Sequence, residues 1–129
     1  NTMLTENEIA RMVFNAGLKV HRTLGPGLLE SAYEECLSFE LINQGLNIER
    51  QKALPLIYEN IKMEVGYRPD IVVENKFIIE VKAVEALNDV HLAQILTYLK
   101  LSGCKLGMLI NFNVLLFKDG VKRVVNGFL

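Results

Sequence analysis

The stretch Phe77-Ile78-Ile79-Glu80-Val81-Lys82-Ala83-Val84 is strongly apolar, yet it carries two opposite charges near its end. A run this apolar predicts a strand deep in a sheet. A spacing of two sets Glu80 and Lys82 on one face, with Val81 turned the other way into the core. Burying either charge alone costs on the order of several kcal/mol, so each needs a partner. One solution is an ion pair between Glu80 and Lys82. The other is a metal ion held by Glu80, with Lys82 facing a substrate.

Asp70 bears on this choice. It closes the polar segment Gly66-Tyr67-Arg68-Pro69-Asp70, ahead of Ile71-Val72-Val73, and Glu74-Asn75-Lys76 then turns the chain. Counted inward from Asn75, Asp70 and Glu80 are each five residues away, so a hairpin sets them opposite one another. Adjacent carboxylates repel, raise each other's pKa and are stabilised together by a hard cation. Magnesium chemistry needs this kind of site: oxygen ligands, open positions for water and phosphate, and a nearby ammonium.

The rest of the chain predicts an α/β domain in the order α-α-β-β-β-α-β-β(-β). Thr5-Glu6-Asn7-Glu8 has the form of a capping box, and Ile9, Met12, Val13, Ala16 and Val20 continue at helical spacing to about Leu24. Gly25-Pro26-Gly27 breaks the chain. A second helix is expected from about Leu28 to Gln44, capped by Gly45, with Leu29, Tyr33, Cys36, Leu37 and Leu41 as its apolar arc. Glu30 falls inside that arc, which predicts a carboxylate facing the interior or a cleft. Strands are expected over 48–58, 62–73, 77–84, 106–112, 114–117 and 121–125. Between them Asp89 would cap a third helix running to about Ser102, with Leu92, Leu96 and Leu99 toward the core and His91, Gln94 and Tyr98 on an adjacent face.

Composition excludes several classes. Residues 1–129 suit a single domain, and half of them are hydrophobic. No run of about eighteen uncharged apolar residues suggests a membrane span, and no secretory signal is visible. Cys36 and Cys104 lie far apart with no CxxC pairing, which fits a reducing cytoplasm and small buried side chains. The net charge of −1 argues against avid non-specific nucleic-acid binding. Its distribution is uneven. Residues 30–89 hold twelve acids and six bases, whereas residues 100–129 hold five bases and one acid. A phosphate track beside a metal site and an ordinary solvated surface both fit that pattern.

These motifs resemble a known family. Pro69-Asp70, nine residues, then Glu80-Val81-Lys82 resembles the signature of the PD-(D/E)XK nuclease superfamily. Gln94-Ile95-Leu96-Thr97-Tyr98 is similar to the QxxxY helix of its RecB-like branches. Gly27-Leu28-Leu29-Glu30-Ser31-Ala32-Tyr33 matches the motif that names the GxxExxY family. The resemblance spans nearly the whole chain and implies a restriction-endonuclease-like mixed sheet flanked by helices. It further implies that Asp70 and Glu80, with the Val81 backbone carbonyl, hold magnesium or manganese, and that Glu30 is a ligand directly or through water. Lys82 would activate water and stabilise phosphate charge, Gln94 and Tyr98 would support the site, and His91 would be an accessory.

The expectation is a magnesium-dependent nuclease acting on nucleic acid, DNA rather than RNA, as a cytoplasmic homodimer with no membrane association. The alternative is a non-catalytic module on the same scaffold that binds nucleic acid or protein. A third reading, a purely structural ion network, leaves excess negative charge in the core without a cation. Isolated residues carry simpler expectations. His21 belongs at a surface or helix end, and Tyr33 and Tyr67 are packed aromatics with bonded hydroxyls. Arg68 meets either a phosphate or a local acid.

Overall fold

A computed structural model describes residues 3–129, without the side chains of Glu64 and Val65. Helix α1 spans Glu6–Leu24 and begins with the capping box: Thr5 Oγ1 accepts the Glu8 N–H at 3.1 Å, and Glu8 Oε1 accepts the Thr5 N–H at 2.8 Å. Ile9, Val13, Ala16 and Val20 are buried along one stripe, whereas Met12, Phe14 and Leu18 pack at its margin. Helix α2 spans Glu30–Asn43. It stops because Gly45 takes φ 85°, letting the Gly45 and Leu46 N–H groups reach the carbonyls of Ile42 and Leu41. Its buried residues are Tyr33, Leu37, Ser38 and Leu41. Leu29 lies outside that arc: it is the N-cap residue and 76% exposed.

The main sheet has five strands in the order β1-β4-β5-β6-β7, over Ile48–Arg50, Ile71–Val73, Phe77–Lys82, Leu106–Asn111 and Val121–Val125. β5 and β6 run parallel, joined by helix α3 (Asp89–Ser102), and the other neighbours are antiparallel. Strands β2 (Leu54–Tyr58) and β3 (Ile61–Tyr67) form a separate two-stranded ribbon. α1 and α2 cover one face, burying Ile79 and Val81, and α3 covers the other, burying Ile78, Ile95 and Leu99. Each such aliphatic side chain contributes roughly 1.5–3 kcal/mol when removed from water. The three layers are the mixed α/β architecture anticipated from the motif order. Among the described residues, no helix is long and apolar enough to cross a membrane.

The structure departs from the expected elements in four places. The two long strands expected over 48–58 and 62–73 are each broken, giving β1 with β2 and β3 with β4. Gln51, at φ 55°, turns the chain out of the sheet, and Arg68-Pro69-Asp70 interrupts the partner strand. Residues 114–117 do not form a strand, because β5 and β7 already occupy both edges of β6. There the chain swings out, exposing Leu115, and returns through a 3-10 turn (Phe117–Gly120) that buries Phe117 against Phe14, His21 and Phe112. Asn88, rather than Asp89, caps α3. On that helix Ile95, Tyr98 and Leu99 are the buried residues, with Leu92 and Leu96 only half-buried.

Candidate active site

The hairpin of β4 and β5 pairs Ile71 with Ile79, so the next pair outward is Asp70 and Glu80. β4 ends there, and side chains replace the backbone ladder. The Asp70 N–H donates to Glu80 Oε2 at 2.7 Å, and the Val81 N–H donates to Asp70 Oδ2 at 2.7 Å. Each carboxylate is thus oriented by the main chain of the opposite strand, and the second Asp70 oxygen accepts from the Gln51 amide at 3.2 Å. Alternation along β5 places Glu80 and Lys82 on the α3 side. There Lys82 Nζ donates to Gln94 Oε1 at 3.2 Å rather than to Glu80, so the charges are not compensated by a direct ion pair.

Glu80 is only 3% exposed. Burial pushes its carboxyl up to about 8, with the neighbouring Asp70 charge adding to the effect. Asp70 is also raised, by burial first and then by Glu34, although the Val81 N–H and the Gln51 amide act in the other direction. Tyr98 is buried beneath the pair and pushed up to about 12 by burial and by the charges of Glu80 and Asp70, so its hydroxyl stays protonated.

The remaining expected residues are dispersed. Glu30 is exposed at the start of α2, and its Oε2 accepts the Ala83 N–H at 3.1 Å. It therefore braces the end of β5 instead of lying within the apolar arc. His91 closes the α3 cap: its Nδ1 accepts the Asn88 N–H at 3.1 Å, and its own N–H donates to Asn88 Oδ1 at 3.0 Å. That role occupies one ring nitrogen away from the carboxylates. His21 lies in the last turn of α1, a helix end as expected, but it is buried there, and its Nε2 lies 2.7 Å from the Val114 carbonyl. Arg68 donates to the Gln51 carbonyl at 3.2 Å, and among the described residues it forms no ion pair with an acid. Tyr33 is packed as expected, stacked on Phe112 with centroids 4.6 Å apart while its hydroxyl donates to the Gly25 carbonyl at 2.6 Å.

Three residues at the site had not been singled out. Gln51 Nε2 bridges Asp70 Oδ1 at 3.2 Å and Glu34 Oε2 at 3.3 Å, and the Gln51 N–H donates to the Asp70 carbonyl at 3.1 Å. Glu34 is held by Arg50 at 3.1 Å. Asn111, buried on β6 beside Lys82, clamps both the N–H and the carbonyl of Val84. Glu34 had a sequence signal, since it lies one helical turn beyond Glu30. Gln51 and Asn111 had none.

Among the described residues, no three His, Cys, Asp or Glu side chains converge to hold an ion by themselves. Two carboxylates do converge, Glu80 buried and Asp70 half-buried, and among the described residues neither has a direct ion pair. That donor set fits magnesium, which keeps several waters and takes one or two carboxylates together with substrate phosphate. In a strand the N–H and C=O of one residue point to the same side, so the Val81 carbonyl faces toward Asp70.

Residues 7–124 match the sequence profile of the PD-(D/E)XK nuclease superfamily. The chain belongs to that superfamily. Nucleases of the PD-(D/E)XK superfamily generally use divalent metals, in keeping with the paired carboxylates of this member. The crystal structure of an alkaline exonuclease from Laribacter hongkongensis is similar to this PD-(D/E)XK chain, with a TM-score of 0.51 and 12% identity. The similarity covers 97% of this chain and 72% of the exonuclease, and at that identity it concerns the fold. No protein of curated function matches the chain.

Proposed function

We propose that this PD-(D/E)XK chain, taken as one domain, is a magnesium-dependent nuclease of the GxxExxY kind that hydrolyses phosphodiester bonds, preferentially in DNA. The observation that carries the reading is the pair of carboxylates, Glu80 buried and Asp70 half-buried, each tied to the other's strand, beside a lysine held by Gln94. Asp70, Glu80 and the Val81 carbonyl would hold the cation, with manganese able to replace magnesium. When bound, the cation would polarise the phosphate and lower the pKa of a water.

The chain's own groups do the rest. The Lys82 ammonium orients the attacking water and offsets charge growing on the phosphate oxygens. Gln94 fixes the direction of that ammonium, and the protonated Tyr98 hydroxyl closes the floor of the site. Glu30 holds the end of β5 through Ala83, and a water between it and the cation would make it an outer ligand. His91 acts indirectly, by fixing the first turn of α3. A cytoplasmic homodimer completes the proposal, extending the resemblance to small paired nucleases.

The net charge of −1 favours a second reading, a non-catalytic module that binds nucleic acid or protein through the same scaffold. Magnesium titration calorimetry on the wild type and on Glu80→Gln separates the two. The nuclease reading expects binding that is lost in the variant. Absence of binding at millimolar magnesium, with and without a phosphodiester oligonucleotide, favours the module.

A further inference from the structure

Beside the lysine lies an open slot of about 210 Å³ between the end of β3 and the first half of α3. Among the described residues it is lined by Tyr67, Val90, Ala93, Gln94, Thr97 and Tyr98. Gln94 belongs to both places, since its Oε1 accepts from Lys82 Nζ at 3.2 Å. The slot therefore opens directly off the position assigned to the reacting phosphate.

Its chemistry differs from that of the site. Among the described residues no charged side chain lines it, and most of its surface comes from methyl groups and two tyrosine rings. Tyr67 and Tyr98 meet at a 57° tilt with centroids 5.6 Å apart, and Tyr67 remains 39% exposed. An uncharged recess with an aromatic wall does not attract a phosphate. It suits a flat, weakly polar ring. In a nucleic acid strand such rings are joined to the phosphates, so a phosphate at Lys82 carries a base to the neighbourhood of Tyr67.

We propose that this slot is a nucleobase subsite. It takes the base attached to the scissile phosphate or its neighbour, packed against Tyr67. The proposal rests on the nuclease reading for the position of the phosphate, and extends it to the substrate class. A base stacked within a continuous duplex cannot enter, whereas one in a single strand or frayed end is available at little cost. With no charged group and few polar ones to read base edges, the slot has little preference among the four bases. The favoured substrate is single-stranded nucleic acid or a duplex end that has opened.

Binding of a fluorescent twelve-nucleotide DNA strand tests this, with calcium replacing magnesium so that affinity is read apart from turnover. The same strand with abasic sites and a blunt duplex are the comparisons. The wild type should bind the intact strand about five- to a hundredfold more tightly than the abasic one, the range one base–aromatic stack supplies. Ala93→Leu fills the slot from an exposed helical position that tolerates leucine, and should abolish the difference. Tyr67→Ala should do the same, and Tyr67→Phe should preserve it. Equal binding of intact and abasic strands by the wild type overturns the proposal, as does a difference that survives Ala93→Leu. Lys82→Ala, assayed for cleavage in magnesium, keeps the two ideas separate. A wild type that cleaves neither strand nor duplex removes the nuclease reading, and undiminished cleavage by Lys82→Ala removes only the role of that lysine, neither altering the binding comparison.

Discussion

Asp70 and Glu80 hold each other in place through backbone N–H groups, and the same arrangement sets how the protein responds to pH. Glu80 binds its proton more tightly folded, up to about 8, than unfolded, near 4.5. The stability this contributes is fully present below the unfolded value and is lost as pH rises through the folded one. The metal-free protein should therefore melt at progressively lower temperature from pH 5 to pH 9. Differential scanning calorimetry in EDTA should show that decline, and Glu80→Gln should flatten it while leaving the smaller share from Asp70, whose shift has the same sign. Gln51 offers a second test. Its amide spans Asp70 and Glu34 from a backbone at φ 55°, so Gln51→Gly relieves the backbone strain yet removes the bridge. Stability should stay within about 1 kcal/mol, while kcat falls about tenfold as Asp70 loses its orientation. An unchanged kcat shows that Gln51 has no positioning role. At this scale Asp70 and Glu80 were legible because the Glu74-Asn75-Lys76 turn is symmetric about them. Gln51 was not. Counting from the Glu59-Asn60 turn sets Glu49 opposite Asp70, but two extra residues between Met63 and Gly66 shift the register and bring Gln51 there.

Elements carry these residues to one end of the sheet. Helix α3 delivers Gln94 and Tyr98, and its distance from the sheet depends on Gly107 of β6. A Cβ on Gly107 would lie 2.8 Å from the Ile78 carbonyl oxygen and 3.2 Å from Ile95 Cδ1. Gly107→Ala should therefore destabilise the fold by about 1–3 kcal/mol, read as a lower midpoint in urea. A midpoint equal to wild type would mean that α3 does not rest on that strand. The helices were legible because capping boxes and helical periodicity are local. The breaks in the strands were not, because they depend on which edges of the sheet are free. Val114–Phe117 has the composition of a strand, but β6 is already paired on both sides, so Phe117 is buried by a 3-10 turn instead.

On the scale of the molecule, two apolar cores grip a mixed sheet, and the carboxylates lie at the carboxyl end of its central parallel strand, β5. That end is where open α/β sheets bind ligands, so the fold gathers the charged site away from both cores. Three layers and the order of motifs followed from the sequence. That Glu30 is an exposed brace for β5 did not, since the helical wheel cannot show where a helix begins relative to the sheet. Cation binding should in turn stabilise the whole molecule. At a hundredfold excess over its Kd, magnesium should raise the unfolding free energy by about 2.7 kcal/mol in the wild type and leave Glu80→Gln unchanged. The central claim, that Asp70, Glu80 and Lys82 form a metal-dependent phosphodiesterase site, is tested most directly by cleavage of labelled single-stranded and duplex DNA in magnesium and in EDTA. Wild type, Asp70→Ala and Lys82→Ala should be compared at matched folded concentration. The account predicts cleavage by the wild type in magnesium alone, and none by either variant. Cleavage that persists in EDTA or in either variant, or a wild type that cuts neither substrate with magnesium or manganese, would contradict it.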